Sequence, residues 1–240
     1  MGRLDVEMAS RALVKSRSMA QGLIKDGIVF VNGHCVNKAS LDINERDVIE
    51  IRGELPKYVG RGGLKLEKAI DVFHIALSDC VCIDVGASTG GFTDCMLQKG
   101  AKVVYAVDVG KGQLDEKLKN DRRVISLENT DIRVAGEKIP EKADFISVDV
   151  SFISLKLILG AVKALLKKEG KAIALIKPQF EVGKGGIGKG GIVKNPILRE
   201  KVVKEIKEYA EDMGFRCEGL TVSPIKGGDG NTEYLIYLSI

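Results

Sequence analysis

Apolar positions along the chain follow two different rhythms, and the change between them divides it. In roughly the first fifty residues they recur at helical spacing and then alternate in very short runs. Leu4, Met8 and Ala12 stand four apart, which predicts one buried face of a first helix. Ser18 with Gln21 three residues on predicts a capping-box start to a second helix, ended by Gly27. On that helix Ala20, Leu23 and Ile24 form the inward face, while Arg17, Gln21 and Lys25 share the polar one. Ile28-Val29-Phe30-Val31, the pair Asn32-Gly33 and His34-Cys35-Val36 predict a hairpin, because both turn residues tolerate positive φ. A further strand is expected from Asp47 to Arg52.

Beyond a linker at 53–63 the pattern turns to strands alternating with helices, the signature of an α/β sheet. Val81 to Val85 is a short apolar run, Gly86-Ala87-Ser88-Thr89-Gly90-Gly91 a tight loop, and Phe92 to Gln98 a helix. Val103 to Asp108 reads as the next strand, and Phe145 to Asp149 and Ala172 to Ile176 as later ones. A last strand starts at Asn231-Thr232-Glu233-Tyr234. The expected architecture is a Rossmann-like sheet with helices on both faces, preceded by a small α+β domain. The division is 1–52, a linker at 53–63, and 64–240.

A strand, glycine loop and helix in succession form a nucleotide-type site, and two cofactor chemistries fit it. A dinucleotide sets an anionic pyrophosphate at the helix N-terminus, where a carboxylate at Asp84 repels it. S-adenosylmethionine carries an ammonium and a sulfonium there instead. Ser88 also stands where the dinucleotide fingerprint requires its second glycine. The loop therefore favours S-adenosylmethionine, bordered by Gly86, Ala87, Ser88, Thr89, Gly90, Gly91 and Phe92, with Asp84 near its methionine end and Asp108 on its ribose. Asp131, just past the third strand, either meets the adenine amino group or caps a turn.

Composition narrows the class without deciding it. A chain of 240 residues with 45% hydrophobic and 29% charged residues is that of a globular protein. The net charge of +4 is compatible with a polyanionic partner. Cys35, Cys80, Cys82, Cys95 and Cys217 lack metal-ligand or redox spacing, so reduced thiols, no metal site and a cytoplasmic location are expected. Charges at Arg3, Asp5 and Glu7 exclude a signal-peptide reading of the N-terminus, and no apolar run is long enough to predict a membrane span. Gly183 to Gly190 nearly spells a phosphate loop, but Gly190 replaces the magnesium-binding Ser or Thr. Its Lys184 and Lys189 suit a loop that meets nucleic-acid phosphates.

Two resemblances add to this reading. Arg3-Leu4-Asp5, Ser16 through Ile24 and Gly27 through Gly33 resemble the S4 RNA-binding domain, which implies RNA contacts from Arg3, Arg11, Lys15, Arg17, Gln21 and Lys25. In the second domain Lys65, Asp149, Lys177 and Glu233 come in the order of the Lys-Asp-Lys-Glu tetrad of FtsJ-type ribose 2′-O-methyltransferases, a class I methyltransferase fold. Singly, each of the four is more commonly a surface ion pair. Together the two parts resemble the TlyA family, and that resemblance covers nearly the whole chain. It implies S-adenosylmethionine-dependent methylation of a ribose 2′-hydroxyl, of cytidine, in ribosomal RNA or ribosomal subunits, with no membrane and no obligate protein partner. By the same resemblance Lys177 orients or deprotonates the hydroxyl, Asp149 and Glu233 fix its position and charge, and Lys65 completes the network or meets the phosphate. The linker departs from the family's Arg-any-Trp-Val motif, reading Pro56-Lys57-Tyr58-Val59. The competing function is a non-catalytic RNA-binding or ribosome-assembly factor that keeps the fold.

Overall fold

A computed structural model describes residues 2–14, 17–53 and 56–240, with the side chains of Ser18, Lys184 and Lys189 outside that description. The chain divides into two units, Met1–Pro56 and Lys57–Ile240, so the boundary falls inside the expected linker.

In the first unit, β1 (Gly2–Arg3) leads into α1 (Leu4–Ser10) and α2 (Arg17–Lys25), followed by β2 (Val29–Val31), β3 (His34–Cys35), β4 (Asp42–Ile43) and β5 (Ile49–Ile51). β1 pairs with β4, and β2 lies between β3 and β5, all antiparallel. Asn32 (φ 49°) and Gly33 (φ 82°) both take left-handed conformations, as a two-residue hairpin turn demands. Leu4, Met8, Ala20, Leu23, Ile24 and Val29 close a small core.

The pattern-based reading needs two corrections here. Ala12 is not on the buried helix face: α1 stops at Ser10, Ala12 turns out at φ 55°, and Val14 enters the core instead. Nor does Gln21 close a capping box. Its side chain donates to Asp5 at 2.6 Å, and α2 already begins at Arg17.

The second unit runs α3 (Gly62–Phe73), β6 (Val81–Val85), α4 (Gly91–Gln98), β7 (Val103–Val107), α5 (Glu116–Lys119), β8 (Val124–Leu127), β9 (Ala143–Val148), α6 (Leu159–Leu165), β10 (Leu166–Ile176), α7 (Pro178–Glu181), α8 (Pro196–Asp212), β11 (Arg216–Val222) and β12 (Tyr234–Ser239). These strands form one sheet in the order β11-β12-β10-β9-β6-β7-β8. Only β12 runs against its neighbours. Side chains alternate between two cores as the pleat requires. Ala172, Ala174, Ile176, Ile236 and Leu238 face α6 and α8, whereas Ile173, Leu175, Leu235 and Tyr237 face α3 and α4. β6 is buried along its whole length because helices cover both faces. Strand order reverses between β6 and β9, and a crevice opens there at the carboxyl ends of the strands, where sheets of this kind bind ligands. Among the described residues, no helix is long and apolar enough to cross a membrane.

Candidate active site

The crevice at this switch point has a volume of about 330 Å³. Val85 at the end of β6 with Gly86 and Ser88 after it, Asp108 and Val109 after β7, Asp131 and Ile132 after β8, and Asp149 to Ile153 after β9 wall it. Gly86 and Ala87 both donate their N–H to the Val107 carbonyl, at 2.8 and 3.1 Å, which pins the start of the loop. Gly86 sits at φ 83°, and a Cβ there would lie 2.4 Å from the Asp149 carbonyl oxygen. Glycine is thus required both by the backbone and by the approach of β9. Ser88 also takes a left-handed conformation, φ 48°, and its N–H donates to Asp108 Oδ2 at 2.7 Å. The other Asp108 oxygen accepts from Gly110 N–H at 2.7 Å. Each oxygen keeps a lone pair that can accept a ligand hydroxyl. Of the remaining loop residues, Ala87, Gly90, Gly91 and Phe92 are buried and Thr89 is half-buried, so they shape the loop from behind.

Asp84 lies beneath this loop, not in it. It is fully buried, and its carboxylate accepts from Thr93 Oγ1 at 2.7 Å and Ser147 Oγ at 3.0 Å. Its charge can act on the crevice, but its oxygens are already occupied. Burial pushes its pKa up to about 6, against the opposing hydrogen bonds. Asp94, in the first turn of α4, is also buried and accepts from Val59 N–H at 2.9 Å, so a carboxylate already answers the positive end of this helix. Asp131 faces the crevice while also capping its own turn: it accepts from Arg133 N–H at 2.9 Å and pairs with the Arg133 guanidinium at 2.6 Å, which lowers its pKa.

At one end of the crevice four charged side chains from four distant segments meet. Lys65 on α3 contacts Glu233 Oε2 at 2.6 Å and Asp149 Oδ2 at 3.7 Å. Lys177, just after β10, contacts Asp149 Oδ1 at 2.6 Å and donates to Ser151 Oγ at 2.9 Å. Glu233, Lys65 and Lys177 are 2, 8 and 8% exposed. Two cations and two anions balance in a confined space, and desolvated charges persist only in such an arrangement. Pro178 opens α7 and leaves Lys177 extended at φ −110°, ψ 98°.

All four residues of the ordered tetrad therefore come together. Ser151, which the sequence reading did not single out, joins them; its position two residues after Asp149 was the available signal. Phe152 follows with φ 65° and 90% exposure, its ring 5.0 Å from that of Phe180.

The basic residues assigned to RNA are placed less uniformly. Arg3, Arg17 and Gln21 converge on the fully buried Asp5, with contacts of 2.9, 2.7 and 2.6 Å. The Arg3 guanidinium leads in holding this carboxyl far below the usual range. Arg11 is spent on structure: its guanidinium bonds Glu7 and the carbonyls of Asn44 and Asp47. Lys25 is exposed at the end of α2. Lys15 lies outside the described residues, as do the side chains of Lys184 and Lys189. The 183–191 segment forms two short 3-10 turns, and α8 starts only at Pro196, so no helix opens where a phosphate loop needs one.

A seven-stranded sheet with one reversed strand, a glycine-loop crevice at its switch point and a charged tetrad beside it define a class I methyltransferase fold. A family described as FtsJ-like methyltransferase matches residues 58–240, and the S4 domain matches residues 2–49. The 16S/23S rRNA (cytidine-2′-O)-methyltransferase TlyA of Mycobacterium tuberculosis is 39% identical over 98% of this chain and 89% of its own length. Hemolysin A of Brachyspira hyodysenteriae is 45% identical over 99% of this chain and all of its own. A solved Streptococcus thermophilus protein, named as a hemolysin, superposes with a TM-score of 0.79 at 46% identity, covering 99% of this chain and 87% of that one. The chain belongs to the TlyA family, in which an S4 domain is joined to an FtsJ-like methyltransferase domain.

Proposed function

We propose that this enzyme methylates the 2′-hydroxyl of a ribose, that of a cytidine, in ribosomal RNA, using S-adenosylmethionine. The observation that carries the proposal is the Lys65–Asp149–Lys177–Glu233 cluster at the edge of a crevice whose loop is backed by buried carboxylates. Asp84 and Asp94 place negative charge under the loop and helix start, which suits a cationic cofactor and opposes a pyrophosphate. The Asp108 carboxylate suits ribose hydroxyls, and Ile132, Ile153 and Ile158 give the crevice an apolar wall for an adenine. Bound there, S-adenosylmethionine supplies an already activated sulfonium methyl group.

The protein then needs to supply alignment and removal of one proton. Once Lys177 has lost its own proton to solvent, its neutral amine accepts a hydrogen bond from the 2′-hydroxyl and takes that proton as the oxygen is alkylated. Asp149 orients the Lys177 amine, while Lys65 draws on the other Asp149 oxygen and is itself anchored by Glu233. The exposed Phe152 ring offers a stacking face for a base. In the first unit, Arg3 and Arg17 keep outward-facing donors for phosphates while Asp5 holds them in place.

Mapping ribose methylation by mass spectrometry in ribosomal RNA from cells with and without the protein tests the substrate. Lys177→Ala is expected to abolish methyl transfer while calorimetry still detects S-adenosylmethionine binding. Full activity in that variant removes the tetrad from the mechanism, and absence of cofactor binding in the parent chain favours a non-catalytic RNA-binding factor.

A further inference from the structure

We propose that Ser151 is a positioning residue of the methyl-transfer centre: its hydroxyl fixes the rotation of the Lys177 amine, so that the remaining position on that nitrogen is presented to the substrate hydroxyl. The inference rests on the reading of the centre given above.

A lysine nitrogen is tetrahedral, with three positions beyond Cε that turn freely unless held. Ser151 Oγ takes one as a hydrogen bond at 2.9 Å, while Asp149 Oδ1 lies 2.6 Å from the nitrogen as an ion pair without hydrogen-bond geometry. An ion pair alone leaves the amine free to turn, whereas the directed hydrogen bond to Ser151 fixes it. Asp149 and Ser151 both line the crevice, and the largely buried amine sits directly behind these two side chains. The residue type fits the task. A hydroxyl carries no charge and both accepts and donates, so it stays bonded to an ammonium and to the neutral amine alike, whereas a carboxylate favours only the charged form.

The loop bearing Ser151 is itself braced against the strand end bearing Lys177. On α7, which follows Lys177 directly, Glu181 accepts from Ser154 Oγ at 2.6 Å and from Leu155 N–H at 2.9 Å. Phe180 on the same short helix packs against Phe152. Phe152 is held at φ 65°, an unfavourable conformation for a non-glycine residue that persists only where surrounding contacts enforce it. The serine and the lysine thus belong to one braced unit.

The test compares Ser151→Ala and Ser151→Thr in the full chain by steady-state methylation of ribosomal subunits. Ser151→Ala is expected to lower kcat on the order of tenfold to a hundredfold, as loss of a hydrogen bond to a charged group implies, with KM for RNA and for S-adenosylmethionine within about twofold of the parent. Ser151→Thr, which restores the hydroxyl, returns most of kcat. A second measurement is independent of turnover: in 15N-lysine-labelled protein, with Lys177 assigned through Lys177→Arg, its amine hydrogens exchange with solvent faster in the alanine variant and at the parental rate in the threonine variant. Unchanged kcat in Ser151→Ala, a raised KM for S-adenosylmethionine with kcat retained, failure of threonine to rescue, or unchanged exchange each overturns the assignment. A parent chain without turnover instead removes the methyl-transfer reading, and the exchange measurement still decides whether Ser151 holds the amine.

Discussion

Asp84→Asn separates two effects of one buried carboxylate. In the folded chain Asp84 is fully enclosed and its pKa rises from an ordinary 3.8 to about 6, mainly through burial. Below pH 3.8 the group is protonated in both folded and unfolded chains and costs nothing. As pH rises through the window up to about 6, the unfolded chain ionises first, and stability falls. Above that window the penalty is constant, and the displacement from 3.8 to about 6 corresponds to ~3 kcal/mol. Asparagine has the same shape and carries no charge. It can accept from one of the hydroxyls of Thr93 and Ser147 and donate to the other once that hydroxyl turns.

The variant should therefore be more stable than the parent at pH 8, by up to ~3 kcal/mol, and this advantage should shrink by about 2 kcal/mol at pH 4.5, where the parent carboxyl is largely protonated. Urea unfolding followed by far-ultraviolet circular dichroism at the two pH values measures both quantities. Calorimetry on the same variant should show weaker S-adenosylmethionine binding, because the charge beneath the loop is gone. A variant no more stable than the parent at pH 8, or a difference that ignores pH, refutes the reasoning.

Lys65→Met leaves Glu233, only 2% exposed, without its cation and should cost about 3–5 kcal/mol in chemical denaturation; adding Glu233→Leu should recover most of the stability and none of the turnover. Phe152→Ala removes a ring that is 90% exposed and touches only Phe180 among the described rings, so stability should fall by no more than about 1.5 kcal/mol, while KM for RNA rises in line with a stacking contribution of ~1–3 kcal/mol and affinity for S-adenosylmethionine stays put. Asp5→Asn should melt earlier than the parent at pH 7, and the gap should narrow steadily between pH 4 and pH 2. The folded-state pKa of Asp5 is depressed, chiefly by Arg3, so its stabilisation is complete at neutral pH and fades as pH falls below 3.8. A gap between the two melts that does not narrow from pH 4 to pH 2 counts against that account.

The elements legible in the sequence were those set by local pattern. The run at Val81–Val85 became a strand with the same bounds, and the Asn-Gly pair became a left-handed turn, because backbone preference and burial agree there. Boundaries were less legible: β10 runs back to Leu166, six residues before Ala172, because its entry at Lys167, Lys168 and Glu169 is charged and largely exposed and its register breaks between Leu166 and Lys171. What could not be read was which partner a charged residue takes. Asp5, fully buried in α1, captures Arg3, Arg17 and Gln21 across up to sixteen positions, and nothing in the spacing of the basic residues announces it. The charge of Asp84 beside the glycine loop was legible, but its direction was not: its neighbour Val85 faces the crevice, and pleating turns Asp84 the other way, toward α4. The four residues named by resemblance meet in the structure; that they also collect Ser151 depends on a loop whose course only the fold defines.

The reversed strand β12 has a consequence for how the protein is made. It is the last strand of the sheet along the chain but an interior one in space, lying between β11 and β10, and Glu233 stands immediately before it. During synthesis the β10 edge stays open until β12 has emerged to fill it, and Lys65 waits for its counter-ion until the same moment. The first unit, which pairs only with itself, is complete after fewer than sixty residues. A nascent chain can thus present its S4 domain while the Lys65–Glu233 contact is still unmade, and any ribosome that stops early releases the first unit without that contact.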